Sequence, residues 1–367
     1  MEKNFANLTP GLDSPSTLPP ETGAHFEHEA LLYTAYVDGQ VRCRLCAHQC
    51  LIPDGKLGVC QVRANQGGKL YTLVYGRAIA AHFDPIEKKP FYHFHPGSTA
   101  YSVATEGCNF RCRWCQNWEI SQDPREQDRI RGEALPPERI VGTAQAHGSR
   151  SIAYTYTEPT VFFEYAYDTA RLAHTTGLSN VFATNGYMSD EMLSAFWPFL
   201  DAANVDIKAF QDKTYKRFVG ARLQPVLDAA KTMRALRIWL EVTTLIIPGI
   251  NDDPAELRDL TRFIVDELGP GTPWHISRFF PAHQMTDRPP TPVETMKRAR
   301  EIGREEGLFY VYFGNVARTE GQDTSCPGCG RILIHRVGLG AVTNHIEDGR
   351  CPDCGLIVAG VGMKREN

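Results

Sequence analysis

The chain has 367 residues, of which 42% are hydrophobic and 22% charged, and this length predicts one large domain with smaller appendages. A formal net charge of -4 disfavours nucleic acid as a partner. No run of about 18 apolar residues is present to span a membrane, and residues 1–30 lack the basic and apolar segments of a signal peptide, so we predict a cytoplasmic protein.

The first two segments are predicted to be a leader and a small N-terminal module. Residues 1–30 are rich in proline and polar side chains without apolar periodicity, which predicts a loosely ordered leader. Residues 31–98 hold a group of four cysteines, a β-like run at 70–81 and an arm rich in aromatics at 84–96. We interpret this stretch as a metal module and a connecting arm. This stretch also contains the histidines His82, His93 and His95. We favour the interpretation that they pack against the rest of the protein, with a substrate or partner role as the alternative.

Residues 99–320 alternate short apolar runs with longer amphipathic stretches, which is typical of repeated βα units around a parallel sheet. Six or seven such units predict the α/β class, with a partial or full (β/α) TIM-like barrel. The best helix candidate is 254–268, which Asp252 or Asp253 can cap and Gly269 ends. The predicted strands are 100–104, 151–156, 180–184, 203–207, 239–247, 274–279 and 309–313.

Four polar runs follow, or overlap the ends of, predicted strands. In a right-handed βα array the loops after the strands meet at one rim, where barrel enzymes carry their chemistry. We therefore expect four segments to converge there: residues 106–117, 156–160, 184–187 and 206–210.

All eleven cysteines fall into three groups of four, three and four. Cysteines clustered at short gaps favour metal sites over disulfides in a reducing compartment. Disulfides in an exported protein are the alternative, and they leave one cysteine unpaired. The groups are Cys43, Cys46, Cys50 and Cys60; Cys108, Cys112 and Cys115; and Cys326, Cys329, Cys351 and Cys354.

The middle group lies in GCNFRCRWCQNW, residues 107–118, with the spacing CxxxCxxC. Three thiolates leave one iron of a [4Fe–4S] cluster without a protein ligand, whereas a fourth cysteine closes such a site. A zinc site is the alternative. The motif resembles the three-cysteine loop of the radical S-adenosylmethionine (SAM) superfamily. That resemblance implies that the open iron chelates SAM, that one electron cleaves SAM to methionine and a 5′-deoxyadenosyl radical, and that Trp114 lies against the adenine.

The same resemblance implies further SAM contacts at the rim. Glu158 matches the acidic end of a glycine-glycine-glutamate-type segment that contacts the SAM amino group, although both glycines are absent here. Thr184 and Asn185 are placed to reach the ribose or carboxylate, with a simple strand-to-helix turn as the alternative. Asp206 and Lys208 share one face of a strand, since side chains alternate. We interpret them as a charge pair around the SAM carboxylate or a cation, with a surface salt bridge as the alternative.

Three later segments, VDIKAFQDKTYKRFVG, EVTTLIIPGINDD and HISRFFPAH, resemble pyruvate formate-lyase activating enzymes. In that group the acidic residue and a late histidine help to bind a cation and SAM, which implies such roles for Asp206 and His275. Arg278 is expected to face the same cavity. A structural His275 is the alternative.

The last four cysteines form two CxxC knuckles, Cys326–Cys329 and Cys351–Cys354, with the spacing of a zinc ribbon. We predict a zinc-ribbon-like module over residues 321–367, with a closed iron–sulfur cluster as the alternative. The first four cysteines predict a closed structural metal site of zinc or iron, in which Gly55 and Gly58 supply turns. There His48 could replace one thiolate, and an electron-relay cluster is a further interpretation.

Several motifs together resemble the AmmeMemoRadiSam-system radical SAM proteins: CxLCxHxCxIxxGxxGxC, DPIEKKPFYHFHPG, ATEGCNFRCxxCQNWEISQ, YTYTEPT and CPGCG. This resemblance implies hydrogen abstraction from an unidentified substrate and an electron donor such as flavodoxin or ferredoxin. Two versions of this function are considered. The first is activation of a glycyl radical enzyme. The second is modification of a small molecule or protein side chain together with AMMECR1-like and Memo-like partners. A non-catalytic zinc-binding scaffold is the competing hypothesis.

Overall fold

A computed structural model of the protein describes residues 28–127, 129–316 and 321–364. The predicted leader lies almost entirely outside these ranges. Among the described residues no helix is suited to spanning a bilayer. The strands are β1 His28–Glu29, β2 Tyr33–Ala35, β3 Val41–Cys43, β4 Leu51–Ile52, β5 Arg63–Gln66, β6 Lys69–Thr72, β7 Arg77–Ala78, β8 Ala80–Pro85, β9 Thr99–Ala104, β10 Glu133–Ala134, β11 Ser151–Tyr154, β12 Ser179–Thr184, β13 Ala202–Asp206, β14 Trp239–Ile246, β15 Trp274–Arg278, β16 Val311–Gly314, β17 Thr324–Ser325, β18 Ile332–Val337 and β19 Gly340–Asn344.

The α-helices lie mainly between the strands of the central sheet. They are α1 Trp118–Ser121, α2 Asp123–Glu126, α3 Pro137–Ala146, α4 Phe163–Thr175, α5 Asp190–Phe196, α6 Asp212–Thr214, α7 Gln224–Ala235, α8 Pro254–Phe263 and α9 Val293–Glu305. Short 3₁₀ turns occupy Val37–Gly39, Ile86–Lys88, Pro159–Phe162 and Trp197–Phe199, and π-helical turns occupy Tyr215–Val219 and Ile264–Leu268.

The central sheet has the strand order β16-β15-β14-β13-β12-β11-β9-β8. Seven strands run parallel, and β8 pairs with β9 in the antiparallel sense. The two edge strands of the described sheet, β8 and β16, do not pair with each other. The α/β prediction is confirmed, and the sheet is a partial barrel rather than a closed one.

The predicted helix at 254–268 is present as α8 followed by a π-helical turn. Asp253 caps it, because its carboxylate accepts a hydrogen bond from the Glu256 N–H at 3.4 Å. The turn ends at Gly269, whose φ of 101° suits a residue without Cβ. The apolar residues of its inner face, Leu257, Leu260, Ile264 and Leu268, are all buried.

The arm before the first parallel strand contributes more than a connection. Its first two residues complete β8, which pairs with β9, so an edge strand of the central sheet precedes residue 98. Its second part, residues 86–97, crosses the end of the barrel at which the parallel strands begin. Phe91 and Phe94 pack there against Ala100 and Ala202, near the starts of β9 and β13. We call residues 86–97 the plug.

The N-terminal module consists of two three-stranded sheets, β1-β6-β5 and β2-β3-β4. A buried ion pair fastens it to α4, since both terminal nitrogens of Arg63 donate to the Glu164 carboxylate at 2.8 and 2.9 Å. At the end of the barrel opposite to the plug, where the parallel strands end, the Ala47 N–H donates to the Tyr187 carbonyl at 3.1 Å. The module therefore lies against the side of the barrel next to the rim.

The C-terminal module contains the sheet β17-β18-β19 and packs below the barrel. Its Arg336 is fully buried, and its guanidinium donates to the carbonyl of Tyr92 in the plug at 2.8 Å. Tyr92 and Tyr312 share one hydrophobic cluster with Leu333 and Ile334 of β18. The plug is thus held between the barrel and the C-terminal module. The predicted boundaries at residues 31, 99 and 321 stay predictions.

Candidate active site

An open cavity lies where the parallel strands end, and it encloses about 880 Å³ including its mouth. The cavity brings together the cysteine loop and all but one of the predicted SAM contacts. These residues are Cys108, Cys112, Trp114, Cys115, Glu158, Thr184, Asn185, Asp206 and Lys208.

The three-cysteine loop follows β9 and forms one wall of the cavity. The Phe110 N–H donates to Cys108 Sγ at 3.4 Å, and Ser121 Oγ lies 3.2 Å from Cys115 Sγ. Burial raises the pKa of the Cys112 thiol to about 12, against the opposing charge of Lys208. A thiol with that pKa is protonated at neutral pH, so an iron–sulfur cluster there must displace protons as it binds.

Glu158 is buried behind the loop after β11, and protein donors occupy both of its carboxylate oxygens. One oxygen accepts hydrogen bonds from the Thr160 N–H at 3.0 Å and from the Thr184 hydroxyl at 2.7 Å. The other accepts from the Asn185 N–H at 2.7 Å. Burial raises the pKa of Glu158, and these donors oppose the rise. The carboxylate therefore orients the ends of two strands, and a direct contact with SAM stays a prediction.

Thr184 ends β12 beside the cysteine loop, and Asn185 follows it. The side-chain amide nitrogen of Asn185, Nδ2, donates to the Asn109 side chain at 2.7 Å and lies 3.9 Å from Cys108 Sγ. Thr184 Oγ1 also accepts a hydrogen bond from the Gly186 N–H at 3.0 Å. These bonds match a structured strand-to-helix turn, and the turn itself presents an amide to the cysteine loop.

Asp206 and Lys208 form a charge pair on the cavity wall, with Lys208 Nζ 2.6 Å from the Asp206 carboxylate. Desolvation alone would lower the pKa of Lys208, but the charges of Asp206 and Cys112 outweigh it and raise that pKa. The alternative of a surface salt bridge does not apply to Lys208, because only 17% of its side chain is exposed. Lys208 is a fixed positive charge facing the cysteine wall.

The structure does not bring His275 to the cavity, which corrects the prediction for this residue. His275 Nε2 lies 2.6 Å from Glu241, and both side chains are buried. The residue two positions later, Ser277, does line the cavity. Residues two apart on a strand share a face but differ by about 6.6 Å in height. His275 therefore faces the barrel interior one layer of side chains below Ser277 and the cavity, next to the plug.

Arg278 is also absent from the residues that line the cavity; its Nε donates to the Thr291 carbonyl at 2.7 Å. The sequence analysis missed Thr243, Ser277 and Asn315, which do line it. The Asn315 amide donates to Ser277 Oγ at 2.9 Å. Strand alternation could have found Thr243 and Ser277, because Thr243 shares a face with Leu245 near the end of β14 and Ser277 lies one residue before the end of β15.

The other two cysteine groups lie outside this cavity. The sulfur atoms of Cys326, Cys329, Cys351 and Cys354 all lie within 4.8 Å of one another, which is a metal-ligand arrangement. The first group lines a second, smaller cavity beside the cysteine loop, together with His48 and Asn109. His48 Nε2 lies 2.8 Å from the Asn109 carbonyl oxygen, and its role as a metal ligand stays a prediction. Of the arm histidines, His93 is buried in the plug against Tyr312, as the packing interpretation predicts.

Comparison with known proteins agrees with these motifs. Residues 102–261 match the family model of the radical SAM superfamily. The chain is 46% identical over 329 residues to "Uncharacterized protein MJ0808" of Methanocaldococcus jannaschii, covering 89% of this chain and 97% of that protein. It is 23% identical over 171 residues to MJ1632 of the same organism, provisionally named a glycyl-radical enzyme activating enzyme, covering 46% of this chain and 63% of that one.

Solved structures with a similar fold include a domain of a pyruvate-formate lyase-activating enzyme from Bacteroides vulgatus. It is 16% identical with a TM-score of 0.39, and the match covers 45% of this chain and 99% of that one. SuiB of Streptococcus suis bound to SAM is 13% identical with a TM-score of 0.48, covering 63% of this chain and 53% of that one. From the family match over residues 102–261 and the CxxxCxxC loop within it, the chain belongs to the radical SAM superfamily.

Proposed function

We propose that this radical SAM enzyme holds a [4Fe–4S] cluster on Cys108, Cys112 and Cys115 and binds SAM in the adjoining cavity. The observation that supports the proposal is one cavity lined by three cysteines without a fourth, facing a carboxylate, an amide and a lysine. Such a donor set fits a cluster with one open iron. With both groups bound, the chemistry supplied is one-electron cleavage of SAM and hydrogen abstraction from a substrate.

The residues of this chain then divide the work of binding and orientation. Lys208 and Asn185 supply a positive charge and an amide beside the cysteines, which suits the carboxylate of a bound methionine moiety. Trp114 supplies an aromatic face for the adenine. Glu158 holds the ends of β11 and β12 in register through its bonds to Thr184 and Asn185.

The test is anaerobic reconstitution with iron and sulfide, followed by dithionite reduction and measurement of 5′-deoxyadenosine from SAM. The nucleoside should form with the unaltered protein and disappear in Cys112→Ala. Lys231→Ala is the control, because it removes a side chain that is 41% exposed and does not line the cavity, and it should keep the activity. A protein that assembles no cluster on the three-cysteine loop would refute the proposal and favour a non-catalytic scaffold.

For the substrate, activation of a glycyl radical enzyme is the first candidate, supported by the name of the relative MJ1632 and by the open mouth of the cavity. This candidate function predicts that a peptide containing the target glycine is converted to its radical, with one SAM consumed per radical. The alternative is modification of a small molecule or protein side chain that requires AMMECR1-like and Memo-like proteins. Substrate consumption only in the presence of those proteins would favour the alternative. A flavodoxin or ferredoxin as donor and a cytoplasmic location stay predictions.

We further propose that Cys326, Cys329, Cys351 and Cys354 bind zinc. Cys326 Sγ lies 3.5 Å from Cys354 Sγ, and Cys329 Sγ lies 3.6 Å from Cys351 Sγ. Tetrahedral zinc with Zn–S bonds of about 2.3 Å places its sulfurs about 3.8 Å apart. The metal content of Cys329→Ser tests this, since one zinc per chain should be lost without loss of iron.

A further inference from the structure

The N-terminal cysteines Cys43, Cys46, Cys50 and Cys60 line one cavity, but their sulfur atoms are spaced differently from those of the C-terminal group. Among the described residues, the C-terminal cysteines alone form a set of three or more metal-ligating atoms within 4.8 Å of one another. The N-terminal four do not, and neither do the three cysteines of the radical SAM loop. A single zinc ion needs sulfurs about 3.8 Å apart, whereas each thiolate of a [4Fe–4S] cluster binds a different iron.

Two of the residues that line this cavity carry a buried donor without a hydrogen-bond partner in the described structure. The donors are Arg63 Nε and the Asn109 amide nitrogen, and each side chain belongs to a residue that is 1% exposed. A buried N–H without an acceptor is costly, about 1–3 kcal/mol. Cysteine thiolates can accept such bonds with either metal, and the inorganic sulfides of a cluster add acceptors that a zinc site lacks. The remaining wall, Leu45, Ile52, Val59 and Val161, is apolar.

The cavity shares a wall with the radical SAM loop. Asn109 directly follows Cys108, so their Cα atoms are about 3.8 Å apart, and Asn109 lines the N-terminal cavity while Cys108 lines the SAM cavity. The Cys60 carbonyl lies so close to Gly107 that a Cβ there would be 3.2 Å from it. The chain between Cys50 and Cys60 brings the N-terminal group close to solvent, since Leu51 is 40% exposed and residues 53–56 are exposed.

We propose that Cys43, Cys46, Cys50 and Cys60 hold a second [4Fe–4S] cluster, which passes electrons from a donor protein to the cluster of the three-cysteine loop. A reduced donor of the flavodoxin or ferredoxin type gives one electron to the second cluster, which goes from the 2+ to the 1+ state. That electron then reduces the loop cluster from 2+ to 1+, and the second cluster returns to 2+. The relay rests on the proposed function, whereas the presence of the second cluster does not.

Metal content tests the cluster in a way that leaves the N-terminal module unaltered. After anaerobic reconstitution the full chain should hold about eight irons and eight sulfides. The variant Cys108→Ala/Cys112→Ala/Cys115→Ala should keep about four of each, with the electron paramagnetic resonance signal of a reduced [4Fe–4S]¹⁺ cluster. A triple variant with no iron, or with a second zinc in its place, would overturn the proposal. If the triple variant keeps its cluster but the unaltered protein never cleaves SAM, the proposed function fails and the second cluster stands.

Reduction kinetics test the relay. In Cys46→Ala/Cys60→Ala, the loop cluster should be reduced by a flavodoxin hydroquinone at least an order of magnitude more slowly than in the unaltered protein, as followed by freeze-quench paramagnetic resonance. Dithionite, which is small enough to enter the SAM cavity, should reduce it at an unchanged rate and shows that the loop cluster is intact. Equal rates with the flavodoxin donor would refute the relay.

Discussion

Replacing Arg336 by methionine should detach the C-terminal module from the barrel. The guanidinium donates to the Gln322 carbonyl at 3.0 Å, to Thr324 Oγ1 at 2.8 Å and to the Tyr92 carbonyl at 2.8 Å. It also lies 3.7 Å from the buried carboxylate of Glu87, and both side chains have zero exposure. Methionine fills a similar length but removes the charge and every donor.

The expected cost follows from the ion pair. Removing one member of a buried pair leaves the other uncompensated, which costs about 3–5 kcal/mol. Three hydrogen bonds at about 1 kcal/mol each give a similar figure. Since about 1.4 kcal/mol corresponds to a factor of ten, the amides of β18 should exchange with deuterium about 10²- to 10³-fold faster in the variant.

The matched control is Arg331→Met in the same module. Arg331 pairs with Asp353 at the surface, where the side chains are 37% and 51% exposed, and such pairs contribute at most about 1 kcal/mol. Hydrogen exchange measured by mass spectrometry at matched zinc content compares the two variants. Equal protection of β18 in Arg336→Met and Arg331→Met would refute the role of the buried pair.

The same variant has a predicted pH dependence. Burial raises the pKa of Glu87 above its ordinary value of 4.5, and the charge of Arg336 opposes that rise. Without Arg336 the pKa rises further, so the folded state of the variant favours protonated Glu87. Stability from a raised pKa is fully present below the unfolded value and is lost as the pH rises through the folded value. The difference in stability from the unaltered protein should therefore grow as the pH rises from the folded-state pKa of Glu87 in the unaltered protein, which lies above 4.5, to the higher folded-state pKa in the variant.

Three further predictions concern the rim. Ser121→Ala removes the hydroxyl beside Cys115 Sγ and should lower the reduction potential of the loop cluster by tens of mV. The reason is that a hydrogen bond of about 1 kcal/mol favours the reduced cluster, which carries the more negative charge. An unchanged potential in a redox titration would contradict this. Gly107→Ala should reduce the iron content, because its φ is 98° and the new Cβ would lie 2.6 Å from Val62 Cγ1; full iron content would contradict it. Lys208→Met should raise the KM for SAM by about 10- to 100-fold, the value of a charged hydrogen bond, while the exposed Lys216→Met should leave it unchanged.

The parallel sheet was predictable because its information is local. Each parallel strand of the central sheet is a short apolar run, and the structure starts and ends these strands within two residues of the predicted positions. The cysteine loop and the pair Asp206–Lys208 reach one cavity because loops after parallel strands share a rim.

The errors concern depth and partners. Strand alternation gives the face of His275 but not its layer, so the sequence could not show that Glu241 holds it below the cavity. The composition of the arm could not show that its first two residues pair with β9 while the rest of it crosses the barrel. Likewise, the spacing of the first four cysteines left zinc and iron open, because their position beside Asn109 depends on contacts distant in sequence.

The plug has a kinetic consequence. Glu241 accepts hydrogen bonds from the Tyr92 and His93 N–H groups at 3.0 and 2.8 Å, and so fixes the plug across the lower end of the described barrel. Under the proposed function, SAM, its cleavage products and any substrate would share one doorway at the rim. We then expect a compulsory order of binding, with SAM first and a bulky substrate second, and release of methionine and nucleoside only after the substrate has departed. Turnover with a macromolecular substrate would then be limited by how quickly that substrate dissociates.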